Sequence, residues 1–147
     1  MTSPTLDQSL GFLIGSAYRR LSTHYARELK PYGITPEQWT VLYTIVSYPD
    51  INQKAIASHV DKDQPTTARI VELLEKKGLI TKTVSASDRR AYLLNATIEG
   101  QELLAVTRPV EQQHLNSAFA GLSDKQLKEL RSMLDTIRRN TGEPYED

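Results

Sequence analysis

The sequence predicts a mainly α-helical (α+β) chain carrying one β-hairpin, in the order H-H-H-H-E-E-H-H. Three observations predict it. Apolar residues recur at three- and four-residue steps along most of the chain, the spacing of one helix face. The pattern turns to two short runs of β-branched and apolar residues only between Leu79 and Ala96. Cap residues and Pro/Gly punctuation separate the helical runs. A length of 147 residues fits one domain, 1–147.

Leu6, Leu10, Leu13, Ile14, Ala17, Leu21, Tyr25 and Leu29 make one long amphipathic helix, ended by Pro31 and Gly33. Thr35-Pro36-Glu37-Gln38 opens the second. Thr35 is its N-cap, Pro36 its first helical residue, and Gln38 closes a capping box. Trp39, Leu42, Ile45 and Val46 form its inner face, and Pro49-Asp50 stops it. Asn52 caps a short third helix with Ala55, Ile56 and Val60 inside. Asp63 caps a fourth, with Pro65 in its first turn and Ile70, Val71 and Leu74 facing inward. Gly78 suits the left-handed position after it.

Leu79 to Val84 and Ala91 to Ala96 then read as two strands around the polar loop Ser85 to Arg90. Thr97 caps a helix bearing Leu103, Leu104, Val110, Leu115 and Phe119, with a kink or break expected at Pro109 and a stop at Gly121. Ser123 to Gln126 is a second capping box. It opens a last helix through Leu127, Leu130, Leu134 and Ile137, and a tail from Thr141 is expected to fray. A short helix, a tight turn, a second helix and a hairpin with a polar tip make a winged helix-turn-helix over residues 35–96.

Composition excludes several classes. The chain has no Cys, which removes disulfides, thiolate metal sites and thiol redox switches. The three His residues, His24, His59 and His114, lie on separate segments with no pair at helical spacing, so no metal site and no cofactor is expected. No G-x-S-x-G, phosphate loop or paired-acid arrangement marks an enzyme. No run approaches the roughly 18 apolar residues of a membrane span. The apolar stretch from Leu10 to Tyr18 follows Asp7 and leads into Arg19-Arg20, the wrong order for a secretion signal. The reading is a cytoplasmic protein with an intact N-terminus and no membrane partner.

The net charge is zero, with 18 basic and 18 acidic residues, so any electrostatic case is regional. From Asn52 to Asn95, eight cations face five anions, leaving the segment at +3 and the remainder at −3. The fourth helix begins with the polar run Gln64-Pro65-Thr66-Thr67-Ala68-Arg69. Gln pairs with adenine, Thr touches base edges or the thymine methyl, and Arg forks onto guanine or phosphate. A helix N-terminus also favours phosphate. In the loop Ser85 to Arg90, Arg89 and Arg90 suit a narrow minor groove. Asp88 is placed to accept hydrogen bonds from the loop or from an Arg. Ser87, Asp88, Arg89 and Arg90 therefore join Gln64, Pro65, Thr66, Thr67 and Arg69 as candidate contacts to double-stranded DNA.

The run Leu73-Leu74-Glu75-Lys76-Lys77-Gly78-Leu79-Ile80, the wing residues Asp88 and Arg90, and Thr97 with Gly100 resemble the MarR family of bacterial transcription regulators. Ala96 stands where the family usually has Leu. Thr35 to Trp39, Gln64 to Thr66 and Ala86 to Ala91 resemble the SlyA-like branch in particular. The resemblance implies a homodimer whose base is built by helices within 6–31 and 97–140. It implies a sequence-specific regulator, a repressor or anti-silencer, reading a pseudo-palindrome with half-sites about 10 bp apart. On this analogy the helix from Asp63 enters the major groove and Arg90, with Arg89, the flanking minor groove. Lys54, Lys62 and Lys82 are the candidate phosphate contacts.

The resemblance also implies an effector such as a small aromatic carboxylate, bound between base and reader. Tyr18, Arg19, His24, Tyr25, Trp39 and Tyr43 are the aromatic and basic residues suited to it, an Arg beside Tyr or Trp holding the anion. A reading from another class stays open at this level: a winged-helix docking module for proteins, without DNA binding, which the neutral net charge permits.

Overall fold

The strongest local signals lie at the helix starts, and the architecture follows from them. The computed structural model describes residues 5–88 and 90–145. Six α-helices and one hairpin occur among them: α1 (Leu10–Leu29), α2 (Pro36–Ser47), α3 (Gln53–Val60), α4 (Gln64–Lys76), β1 (Ile80–Val84), β2 (Tyr92–Ala96), α5 (Ile98–Ala118) and α6 (Asp124–Thr141). Thr35, Asn52, Asp63, Thr97 and Ser123 all cap their helices through side-chain oxygens. Both predicted capping boxes form, Thr35 with Gln38 and Ser123 with Gln126.

Three local expectations change. The first helix does not begin at Leu6. Leu6–Gln8 form a separate 3-10 turn, and Ser9 caps α1 by accepting from the Phe12 amide. The apolar spacing runs across this break, so periodicity alone does not reveal it. Second, α5 passes Pro109 without interruption. Pro109 and Ala105, whose carbonyl loses its donor, are both exposed, so water can satisfy the freed group. Third, α6 extends into the stretch read as tail. Thr141 completes α6, and the Ser58 hydroxyl on α3 donates to the Glu143 carboxylate at 3.1 Å.

The core joins α2, α3, α4 and the hairpin to the ends of α1 and α5. Leu29, Val41, Leu42, Ile45, Ile56, Leu74 and Leu94 are among its fully buried side chains. The hairpin is antiparallel, with Ile80 opposite Ala96 and Val84 opposite Tyr92. Its second strand is tied back to the loop before α3. The Leu94 amide donates to the Ile51 carbonyl, and Asp50 and Asn95 exchange hydrogen bonds at 2.9 and 2.8 Å. Asp50 holds a left-handed φ of 60°, which Asp tolerates better than most residues.

At the α4–β1 corner Gly78 takes φ 73°. The Thr97 hydroxyl donates to the Gly78 carbonyl at 2.7 Å, which brings the start of α5 against this corner. Gly100 then lies so close that a Cβ would stand 2.1 Å from the Leu79 carbonyl oxygen.

Outside this core, large apolar faces lack a partner among the described residues. On α1, Leu10 is 75% exposed, and Leu13, Ile14 and Tyr18 are also open. On α6, Met133 is 57% exposed, with Leu134 and Ile137 alongside. No helix of the described residues is long and apolar enough to cross a membrane.

Candidate nucleic-acid interface

The start of α4 is organised by Asp63. One carboxylate oxygen accepts from the Thr66 amide at 2.7 Å, and the other from the Thr66 hydroxyl at 2.8 Å. These bonds hold the Asp63 carboxyl below its usual range. The Arg69 guanidinium, one turn on, donates to the same Thr66 hydroxyl at 3.3 Å. Asp63, Thr66 and Arg69 thus form a chain along one edge of the helix. Gln64, Pro65 and Arg69 are exposed, and Thr66 is half-buried.

Thr67 departs from expectation. It is 0% exposed, and its hydroxyl donates to the Asp63 carbonyl at 2.8 Å. It is a core side chain of the module and is not available to a base. The polar run concealed this, because a Thr that satisfies its hydroxyl on its own backbone packs like Val.

Lys54, Lys62, Gln64 and Pro65 border a groove of about 750 Å³, together with Ser58 and the Glu143–Tyr145 segment. The wing stands apart from this groove. The Ser85 amide donates to the Ala91 carbonyl at 3.0 Å, and Ser85 and Ser87 hydroxyls lie 3.1 Å apart. Asp88 accepts from the Arg90 backbone amide at 2.9 Å, so it shapes the loop and leaves the exposed Arg90 side chain free of that bond. Lys82 sits over the Tyr92 ring, 5.0 Å from its centroid. Arg89 lies outside the described residues.

A second concavity, about 360 Å³, lies where α1 and α5 meet α2. Tyr18, Tyr25, Trp39, Lys62, Glu111 and His114 line it. Of the residues singled out for an effector, Tyr18, Tyr25 and Trp39 face this crevice. Arg19 instead packs over Gly15. Tyr43, which is not among the lining residues, meets Trp39 at a tilt with centroids 5.2 Å apart, and the Arg beside it is Arg108, 4.9 Å from the ring centroid. His24 reaches the crevice only through His114. The Tyr25 hydroxyl is buried without a hydrogen-bond partner among the described residues. Burial, and then the charge of Glu111, push its ionisation upward. Among the described residues no group of three or more His, Asp or Glu side chains could hold a metal ion.

Comparison with known proteins agrees with this geometry. The model of the MarR family matches residues 34–92, from the start of the reader to the second strand. A regulatory protein assigned to the hcr operon of Thauera aromatica is 32% identical over 111 residues, covering 76% of this chain and 67% of that protein. A transcriptional repressor, CouR, solved on a 23-mer DNA duplex, superposes with a TM-score of 0.84 at 30% identity, over 93% of this chain and 97% of that one. The regulator SlyA superposes with a TM-score of 0.81 at 28% identity, over 87% and 90%. By this match to the family model and this identity and superposition, the chain belongs to the MarR family of transcriptional regulators, DNA-binding proteins rather than enzymes.

Proposed function

We propose that this regulator acts as a homodimeric repressor or anti-silencer of the SlyA-like branch, gripping a pseudo-palindromic operator in the cytoplasm. The observation that carries the reading is the exposed first turn of α4, where Asp63 and Thr66 hold Arg69 in place. In this reading Gln64, Pro65, Thr66 and Arg69 address bases in the major groove. Arg90, with Arg89, Ser87 and Asp88 around it, serves the flanking minor groove. Lys54, Lys62 and Lys82 hold phosphates. The duplex in the CouR structure supports the assignment through shared fold and identity.

The dimer rests on the open apolar faces of 6–31 and 97–140. A Leu-sized side chain contributes ~2 kcal/mol when fully buried, so a two-fold mate covering α1 and α6 offers a large gain. The winged part, 35–96, then hangs from that base in two copies. The effector reading moves to the crevice. Tyr18, Tyr25 and Trp39 offer aromatic walls, and Lys62 supplies a cation for a small aromatic carboxylate. Such a ligand acts only through unequal affinity for two arrangements of the readers.

Fluorescence anisotropy with a duplex selected by the protein from a random library tests the reading. If each subunit covers about four phosphates, log K against log salt slopes near −7. A flat salt response would favour the protein-docking module instead.

A further inference from the structure

His24 on α1 and His114 on α5 are 90 residues apart in sequence, and their Nδ1 atoms meet at 2.6 Å. The ring planes lie 30° apart with centroids 4.8 Å apart, so at this Nδ1 separation the two imidazoles meet edge to edge, and Tyr25 lies nearly parallel to His114 with centroids 4.8 Å apart. His114 is 5% exposed. Tyr25 in turn meets Trp39 of α2 edge-on at 5.5 Å. The pair therefore stands at the joint between the base helices and the reader, beside the crevice.

Two nitrogens at this distance have room for one proton between them. One ring must donate and the other accept. Glu28 lies 3.9 Å from His24 Nε2, so a His24 that carries protons on both ring nitrogens is the donor whose charge Glu28 balances. His114 is then the acceptor, neutral, with its own proton on Nε2. A first added proton leaves the bond intact, since a cationic His24 still donates to neutral His114. A second sets two N–H groups against each other, and the contact must open. The other ionisable groups around the pair divide in sign. Glu111 on α5 and Glu37 on α2 face the same crevice, as does Lys62, while Arg108 sits near Glu111. Burial, and then the charge of His24, hold His114 below the usual histidine range, with Glu28 opposing. Burial raises Glu111, which moves its titration up from the ordinary carboxylate range, and its contribution has the opposite sign.

We propose that His24 and His114 form a proton-operated clasp between α1 and α5, closed while His114 is neutral and opened when it gains a proton, so that mild acidification releases DNA. The DNA part rests on the function proposed above; the clasp itself does not. Linkage fixes the sign. A histidine depressed in the folded state withholds a proton that the unfolded chain takes, so stability is full above about pH 6.5 and falls below it.

Two measurements test the clasp on the full-length protein. Long-range 1H–15N spectra of the histidine rings between pH 8 and pH 5 read it without DNA. The expected result is an unprotonated Nδ1 on His114 at neutral pH and titration of that ring below free histidine. A protonated His114 Nδ1 at pH 7.5, or independent titration of both rings, overturns the proposal. Anisotropy on the selected duplex at pH 7.5 and 5.5 reads the consequence. The wild type should lose about tenfold in affinity, the equivalent of one pK unit of linkage. His24→Gln should bind as wild type at pH 7.5 and keep its affinity at pH 5.5, because an amide can turn its oxygen to a protonated His114. An equal loss in His24→Gln contradicts the clasp. If the wild type binds no duplex at either pH, the function reading fails and the ring spectra still decide the clasp.

Discussion

The Trp39 indole N–H donates to the Thr107 hydroxyl at 2.8 Å, joining α2 of the reader to α5 of the base. Thr107 is fully buried, and its hydroxyl donates onward to the Leu103 carbonyl at 2.7 Å. Thr107→Val keeps the shape and leaves the indole donor unpaired. That costs ~1–3 kcal/mol. Urea denaturation followed by the fluorescence of this one Trp should show a lower midpoint with an unchanged slope. An unchanged midpoint would mean the bond contributes nothing net.

Gly100→Ala should be more damaging. Its Cβ would meet the Leu79 backbone carbonyl, which cannot swing away as a side chain can. Overpacking of this kind costs roughly 1–3 kcal/mol or more, and here it also disturbs the Thr97–Gly78 hydrogen bond that sets the wing. Thermal unfolding should show a drop of several degrees. Wild-type stability in this variant would mean the α4–β1 corner yields freely.

Thr66 links its cap to Arg69, so its hydroxyl should matter more than its methyl. Thr66→Ser should retain the base preference of the wild type, and Thr66→Val should relax it towards that of Arg69→Ala. Selection of duplexes from a random library by each variant reads this directly. Equal profiles for Ser and Val would remove Thr66 from the chain. Asp63 adds a pH limit. Its carboxyl is depressed, so the stabilisation it lends α4 is present above the ordinary carboxylate range and disappears as pH falls below about 4.

Much of this was legible in the sequence because it is local. A cap lies three residues from the amide it satisfies, and Thr35, Asn52, Asp63, Thr97 and Ser123 are all found where capping chemistry puts them. The unread parts depend on contacts at long range or on solvent. Nothing in the spacing of His24 and His114 brings them together; the crossing of α1 and α5 does. Thr67 and Thr66 are adjacent and chemically identical, and only the helix phase sends one inward. The break at Ser9 is hidden because Leu6 and Leu10 keep the helical period on both sides of it. The sequence points to Arg19 as the Arg beside an aromatic ring, whereas α5 brings Arg108 over Tyr43 of α2.

Arg90 and Gln64 should separate by role. Arg90→Ala should weaken binding to many duplexes alike and lower the salt slope by about 1. Gln64→Ala should change which base is preferred, a discrimination worth ~1–3 kcal/mol at one position. Anisotropy on a panel of single-base variants of the selected duplex distinguishes the two. The same uniform loss for both variants would abolish the division.

The most direct measurement is a hydroxyl-radical footprint of the protein on its selected duplex. Two readers and two wings on one two-fold axis should protect two blocks about 10 bp apart, flanked by minor-groove protections that vanish in Arg90→Ala. A single protected block, or flanks that persist without Arg90, would contradict the joint use of α4 and the wing by a paired molecule.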